Sequence, residues 1–176
     1  MSHQYLVFTA ILFASSMCNV QANTNRLNHF VGLTPSLTAE PFYETGEYDV
    51  NILPLVYQRN VLEKVDIRMT SLVNYGIRKN ENKLSHLGVE FAFPFHIYGQ
   101  TPSPSPSEGF FVAPIFSIAQ EQIKQELHVG VWVEPAYQFI FSRDYSMSIG
   151  LQLGVTWIDS DMVDHFGGKF IFGRWF

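Results

Sequence analysis

Charge is scarce in this sequence. Lysine, arginine, aspartate and glutamate make up 15% of its 176 residues, against roughly 25% in an average soluble domain. So few charges coat a water-soluble surface poorly. Long apolar runs are missing too. None reaches the ~18 residues that a helical membrane span needs. There is no basic cluster, and the net charge is −5, which argues against nucleic acid as a partner. The single cysteine, Cys18, lies near the N-terminus. Phosphate-binding glycine loops, zinc-ligand spacings and nucleotide motifs are all lacking, so no cofactor and no metal are expected.

What the chain does have is aromatics, at 15%, and alternation. The clearest stretch is 145–157, Y-S-M-S-I-G-L-Q-L-G-V-T-W. Its odd positions are apolar and its even positions are small or polar, so a strand here has one apolar face and one polar face. The apolar face begins at Tyr145 and ends at Trp157, with aliphatic residues and Met between. A strand that crosses a bilayer needs such a band, with an amphipathic aromatic at each headgroup level.

The N-terminus has the layout of a targeting segment. An apolar core over 5–14 leads to small and polar residues and to Val20-Gln21-Ala22, an A-x-A-like cleavage site. His3 stands where a Lys or Arg is usual. The expected division is a signal peptide at 1–22 and one barrel domain at 23–176. Cys18 leaves with the signal, and the mature chain has no thiol chemistry.

Alternating runs recur beyond that point, at 28–38, 48–57, 65–78, 84–98, 110–120, 127–141, 145–157 and 166–176. In the second run one face mixes Asp49 and Asn51 with Leu53 and Leu55. Turns are expected around Asn60 and at Ser142-Arg143-Asp144, a charged hairpin loop at 79–83, and an acidic loop at 158–165. The segment 99–109, G-Q-T-P-S-P-S-P-S-E-G, is a loop, because repeated proline removes ladder donors.

Eight strands on short links predict an all-β, antiparallel up-and-down barrel. Closure pairs every backbone donor and acceptor, as hydrocarbon demands. The apolar faces must point outward, because the opposite faces carry Arg68, Glu90, Glu134, Gln138, Gln152 and Lys169 near mid-strand. Glycines on that inner face (Gly32, Gly76, Gly88, Gly130, Gly150, Gly154) leave room in a narrow interior. A soluble barrel of the lipocalin kind, with the apolar face inside, would present Gly, Ser, Thr, Gln and Ala to water, which is a poor soluble surface.

The C-terminal run, F-G-G-K-F-I-F-G-R-W-F, resembles the assembly signature of bacterial outer-membrane proteins, with Phe170, Phe172 and Phe176 on one face. Arg174 departs from it, with Trp175 beside it as the expected compensation. With the signal segment and the length, the chain is similar to the small eight-stranded outer-membrane barrels of the OmpA/OmpX type. That resemblance implies a monomer in the Gram-negative outer membrane, in contact with its lipids and lipopolysaccharide. It also implies recognition of the terminal aromatics by the barrel-assembly machinery, and periplasmic chaperones on the way. Both chain ends then lie in the periplasm, and the links 40–46, 79–83, 120–126 and 158–165 lie outside.

Three sets of residues are candidates for chemistry. Arg68, Glu90, Glu134, Gln152 and Lys169 are expected to form a paired interior network, since charges in a narrow barrel must offset their desolvation. Ser117, Glu126 and His128 are the raw material of a hydrolase triad if the hairpin turns at Gln122-Ile123, which sets Ser117 opposite His128. The His-x-Ser pairing of small lipid A deacylases is absent, and Ser85-His86 is not expected to replace it, because adjacent strand residues face opposite ways. Asp159, Asp161 and Asp164 fall in the acidic loop without the spacing of a calcium loop. The expected function is a plugged barrel with a structural or surface-interaction role. An outer-membrane lipid acyl hydrolase and a narrow, porin-like pore are the alternatives.

Overall fold

A computed structural model describes residues 27–38, 44–97, 108–122, 125–142, 144–159 and 161–176. The segment 1–22, expected to be a signal peptide, and most of the segment 99–109, expected to be a loop, lie outside the described residues. The chain is all-β and folds as a closed antiparallel barrel of eight strands. Strand β1 comprises His29–Leu33 and Leu37–Thr38, and β2 comprises Tyr48–Asn51 and Leu55–Leu62. Then follow β3 (Val65–Ile77), β4 (Lys83–Ala92 with Phe95–His96), β5 (Gly109–Glu121), β6 (Leu127–Ile140), β7 (Tyr145–Ile158) and β8 (Asp161–Trp175). Each strand pairs with the next, and β1 pairs with β8 to close the ring. At that closure His29 and Phe176 exchange both backbone hydrogen bonds, so the described ends of the chain meet at one rim.

The wall is inverted relative to a water-soluble domain. Phe91, Phe116, Val133, Leu151, Leu153, Phe166 and Phe170 face out and are exposed. Arg68, Glu90, Glu134, Gln138, Gln152 and Lys169 face in and are buried. The period of two produces this directly, since successive side chains alternate between faces.

The breaks in β1, β2 and β4 sit at Pro35, Pro54 and Pro94, where the ladder lacks a donor. At the β2 break the side chains of Asn51 and Ser71 stand in for the ladder. Asn51 Oδ1 accepts from the Leu53 amide at 3.0 Å, and Ser71 Oγ accepts from the Leu55 amide at 3.1 Å. Ser71 Oγ also donates to the Leu53 carbonyl. The break moves the phase of β2 by one residue. Asp49 and Asn51 face in before it, and Val56 and Gln58 face in after it. That shift explains the mixed face seen in the sequence.

Two expected boundaries are corrected. The turn expected at Asn60 falls at Glu63-Lys64. The acidic loop expected at 158–165 is mostly strand. Here β7 runs to Ile158 and β8 begins at Asp161, and Asp159 takes a left-handed φ of 52° in the turn. Aspartate tolerates that conformation better than most residues.

Candidate functional site: the barrel interior

Mid-barrel, the five interior residues meet. Arg68 Nη2 donates to Glu134 Oε1 at 2.8 Å, and Lys169 Nζ donates to Glu90 Oε1. Gln152 Nε2 lies between the two carboxylates, 3.2 Å from Glu134 Oε2 and 3.4 Å from Glu90 Oε2. The Arg68 guanidinium also stands 6.0 Å from the Phe111 ring centroid. Two cations and two carboxylates from β3, β4, β6 and β8 thus tie the wall together across its interior. Strand alternation delivers each of them to the same space, and Ala92, Ala113 and Ala136 leave room for them.

Below the network, toward the rim that holds the described ends, the interior is filled. Asp66 accepts from Gln58 Nε2 at 2.5 Å and from Asn60 Nδ2 at 2.9 Å, and it lies 3.1 Å from His96 Nε2. Beside this cluster Phe30, Val56, Ile171 and Trp175 pack together. Trp175 Nε1 donates to Ser146 Oγ at 2.8 Å. Sequence reasoning missed this second cluster. Its signal was the inward phase of Gln58, Asp66 and His96.

Above the network, Trp132 and His165 stack with centroids 4.1 Å apart and planes 12° from parallel. They come from β6 and β8 and meet across Gly154 of β7, which is opposite both. A side chain at Gly154 would collide with the Trp132 backbone and Cβ, and one at Gly130 would collide with the indole.

The rim on that side carries Asp49, Arg78, Ser85 and His86. Asp49 Oδ1 accepts from Arg78 Nη2 at 2.6 Å. A bulge in β4 sets Leu84 and His86 opposite the neighbours Tyr75 and Asn74, with Ser85 between. Contrary to the expectation from alternation, Ser85 and His86 therefore reach the same group. Ser85 Oγ donates to Asp49 Oδ2 at 2.8 Å, and His86 Nδ1 lies 3.2 Å from that oxygen. The carboxylate sits between hydroxyl and imidazole, so the histidine is not placed as a base toward Ser85. Ser85 is also fully buried. Outside the strands, hydrogen bonding to Glu44 at 2.9 Å raises the pKa of the Lys79 ammonium.

The Ser117, Glu126 and His128 constellation does not assemble as expected. Ser117 pairs with Gly130 and with Glu90, whereas His128 pairs with Ala119. The register of β5 on β6 differs from the one that a turn at Gln122-Ile123 would set, and each partner lies two residues later. The three aspartates do not share a loop either. Asp161 and Asp164 lie on β8, and their odd and even positions put them on opposite faces. Among the described residues, no group of three or more His, Cys, Asp or Glu is arranged to hold a metal ion.

On the outer wall, Tyr145 and Trp157 mark the two ends of β7 and are both exposed. Phe170, Phe172 and Phe176 share the outer face of the last strand and its end. Arg174 Nε donates to Asp144 Oδ2 at 2.8 Å, and the guanidinium lies over Tyr145 at 5.7 Å. Trp175 points inward and is 2% exposed, so it does not supply the outward aromatic that Arg174 displaces. Compared with family models, characterised proteins and solved structures, the chain matches none of them.

Proposed function

We propose that this protein is a small outer-membrane β-barrel, delivered by a cleaved signal peptide at 1–22, with a plugged polar interior and a structural role in that membrane. One observation carries the reading: the exposure pattern is inside out. Large apolar side chains cover the wall while Arg68, Glu90, Glu134 and Lys169 are buried. Leaving a Leu or Phe in water instead of an apolar medium costs roughly 1.5–3 kcal/mol per side chain. A wall of them is stable only against hydrocarbon. Closure supports the same reading, because a bilayer tolerates no long open edge.

The interior favours a plug over a pore. Charge pairs cross it at mid-height, and the Asp66 and Trp175 clusters fill the rim below. The partners that follow are outer-membrane lipids and lipopolysaccharide against the wall, and the assembly machinery and chaperones during biogenesis.

The test is gel mobility with and without boiling, alongside planar-bilayer recording. The folded protein should resist SDS and shift on boiling, and it should pass little steady current. Loss of both the shift and a strand-type far-UV spectrum would sink the barrel in the membrane. A stable open level would replace the plug with a narrow pore.

A further inference from the structure

Two histidines meet on the inner rim above the charged network. His86 stands on β4, opposite Glu121 of β5, and His128 stands on β6, opposite Ala119 of β5. Strand β5 thus runs between them, and the small Ala119 side chain lets the two rings approach across it. Their centroids are 5.0 Å apart and their planes 60° from parallel.

Each ring has a nitrogen to spare. His86 Nδ1 faces Asp49 Oδ2 at 3.2 Å. A proton on Nδ1 there leaves the lone pair on Nε2. Asp49 is itself held in place, since it accepts from Arg78 at 2.6 Å and from Ser85 at 2.8 Å. The His86 side chain is 17% accessible, so it can be reached from the rim. His128 Nε2 is buried and has no hydrogen-bond partner among the described residues. Glu121, Glu126 and Asp159 lie near enough to His128 to act on its charge.

These features match half of a metal site. With a metal–nitrogen distance of about 2.0–2.1 Å, a ring centre is about 3.2 Å from the ion, and two rings at a tetrahedral angle have centres about 5.2 Å apart. The observed separation is close to that. A carboxylate on the other nitrogen is the regular companion of a metal-bound imidazole, because it fixes the tautomer and the orientation of the ring. Imidazole pairs take Cu2+, Ni2+ or Zn2+, and Cu2+ most strongly. Calcium and magnesium prefer oxygen ligands. The surrounding carboxylates favour a dication over an anion.

We propose that His86 and His128 bind one divalent transition-metal ion at the inner rim, with water in its remaining positions and Asp49 orienting His86. The site requires the folded barrel and not the membrane, so its failure and that of the membrane reading are distinguishable in detergent.

The test is paramagnetic resonance of Cu2+ added to the refolded protein in detergent, with heat-shifted mobility as the check on folding. The wild type should bind one ion whose spectrum shows splitting from two imidazole nitrogens. His86→Gln and His128→Gln should each lose one of them. Asp49→Asn should keep both but weaken binding, on the order of 10- to 100-fold. A large excess of calcium should not displace the ion. Absence of binding, any other nitrogen count, or a two-nitrogen spectrum that survives both histidine substitutions overturns the site. Displacement by calcium also overturns it and assigns the ion to the acidic rim. Should the variants not fold, the wild type alone decides. Zn2+ should protect His86 and His128, but not His29 on the outer wall, from diethyl pyrocarbonate, and any other pattern overturns the proposal.

Discussion

Strands β7 and β8 pair without interruption from Tyr145/Arg174 to Ile158/Asp161, whereas among the described residues β1 and β8 pair from Phe30/Trp175 to Leu33/Phe172. Both seams belong to the same strand, and both flank it with outward apolar residues. They differ in the backbone and in the sequence distance between the partners. The β7–β8 hairpin is local, turns at Asp159 and contains no proline. The closing seam joins the first and last described strands and meets Pro35. Alternation therefore decides which way a side chain points, but continuity of the ladder depends on an amide at each bonded position. Where that amide is missing in β2, Asn51 and Ser71 replace it. Where it is missing in β1, no such replacement occurs among the described residues.

The largest expected effect comes from the interior that braces both seams. Glu134→Leu leaves Arg68 buried without its carboxylate, which should cost about 3–5 kcal/mol. Glu90→Leu should do the same through Lys169. Denaturant unfolding in lipid vesicles measures both losses. Adding Arg68→Met to Glu134→Leu should recover most of the stability. If the double variant is as unstable as the single one, Glu134 matters through packing and not through charge.

The regular seam is the place to test the outer wall. Leu151→Arg puts a cation on the outward face midway along β7. At a bilayer midplane this should cost roughly 2–4 kcal/mol. The same change at Trp157, at the end of the strand, should cost much less. Equal costs at the two positions would mean that the wall does not meet a band of hydrocarbon. A smaller effect is expected in the filled half. Trp175→Phe removes the hydrogen bond to Ser146 and should cost about 1 kcal/mol in the same unfolding measurement.

Much of this fold was legible in the sequence, and the reason is the period of two. It assigned Arg68, Glu90, Glu134, Gln152 and Lys169 to one face and the long apolar series to the other, and their contacts follow from that. What it did not encode was register and irregularity. The bulge that brings Ser85 and His86 to one carboxylate adds a residue without changing composition. The first residues of β8 were hidden because Asp164 puts a charge in its outward apolar series. Ser117 was matched to His128 because a hairpin's partners depend on where its turn is centred, and polar residues over 120–126 accept several centres. The phase shift in β2 was visible as a mixed face, but only the backbone shows that Asn51 and Ser71 absorb it.

The smallest effect on stability is expected at Arg174, where β8 approaches the rim. Its pair with Asp144 is exposed, and the Arg174 side chain is 61% accessible. Exposed pairs contribute about 0–1 kcal/mol, so Arg174→Tyr should leave unfolding in vesicles nearly unchanged. Its consequence belongs to assembly. The position lies on the outer face between Phe172 and Phe176, and Trp175 faces inward, so this variant completes an outward aromatic series that the wild type interrupts. On the resemblance to outer-membrane assembly signatures, Arg174→Tyr should raise the amount of heat-modifiable protein in outer-membrane fractions, and deletion of Phe176 should lower it. Refolding yield in detergent should barely respond to either change. If yield and membrane insertion move together in both variants, these side chains act only by packing at the closing end of β8, and recognition before folding plays no part.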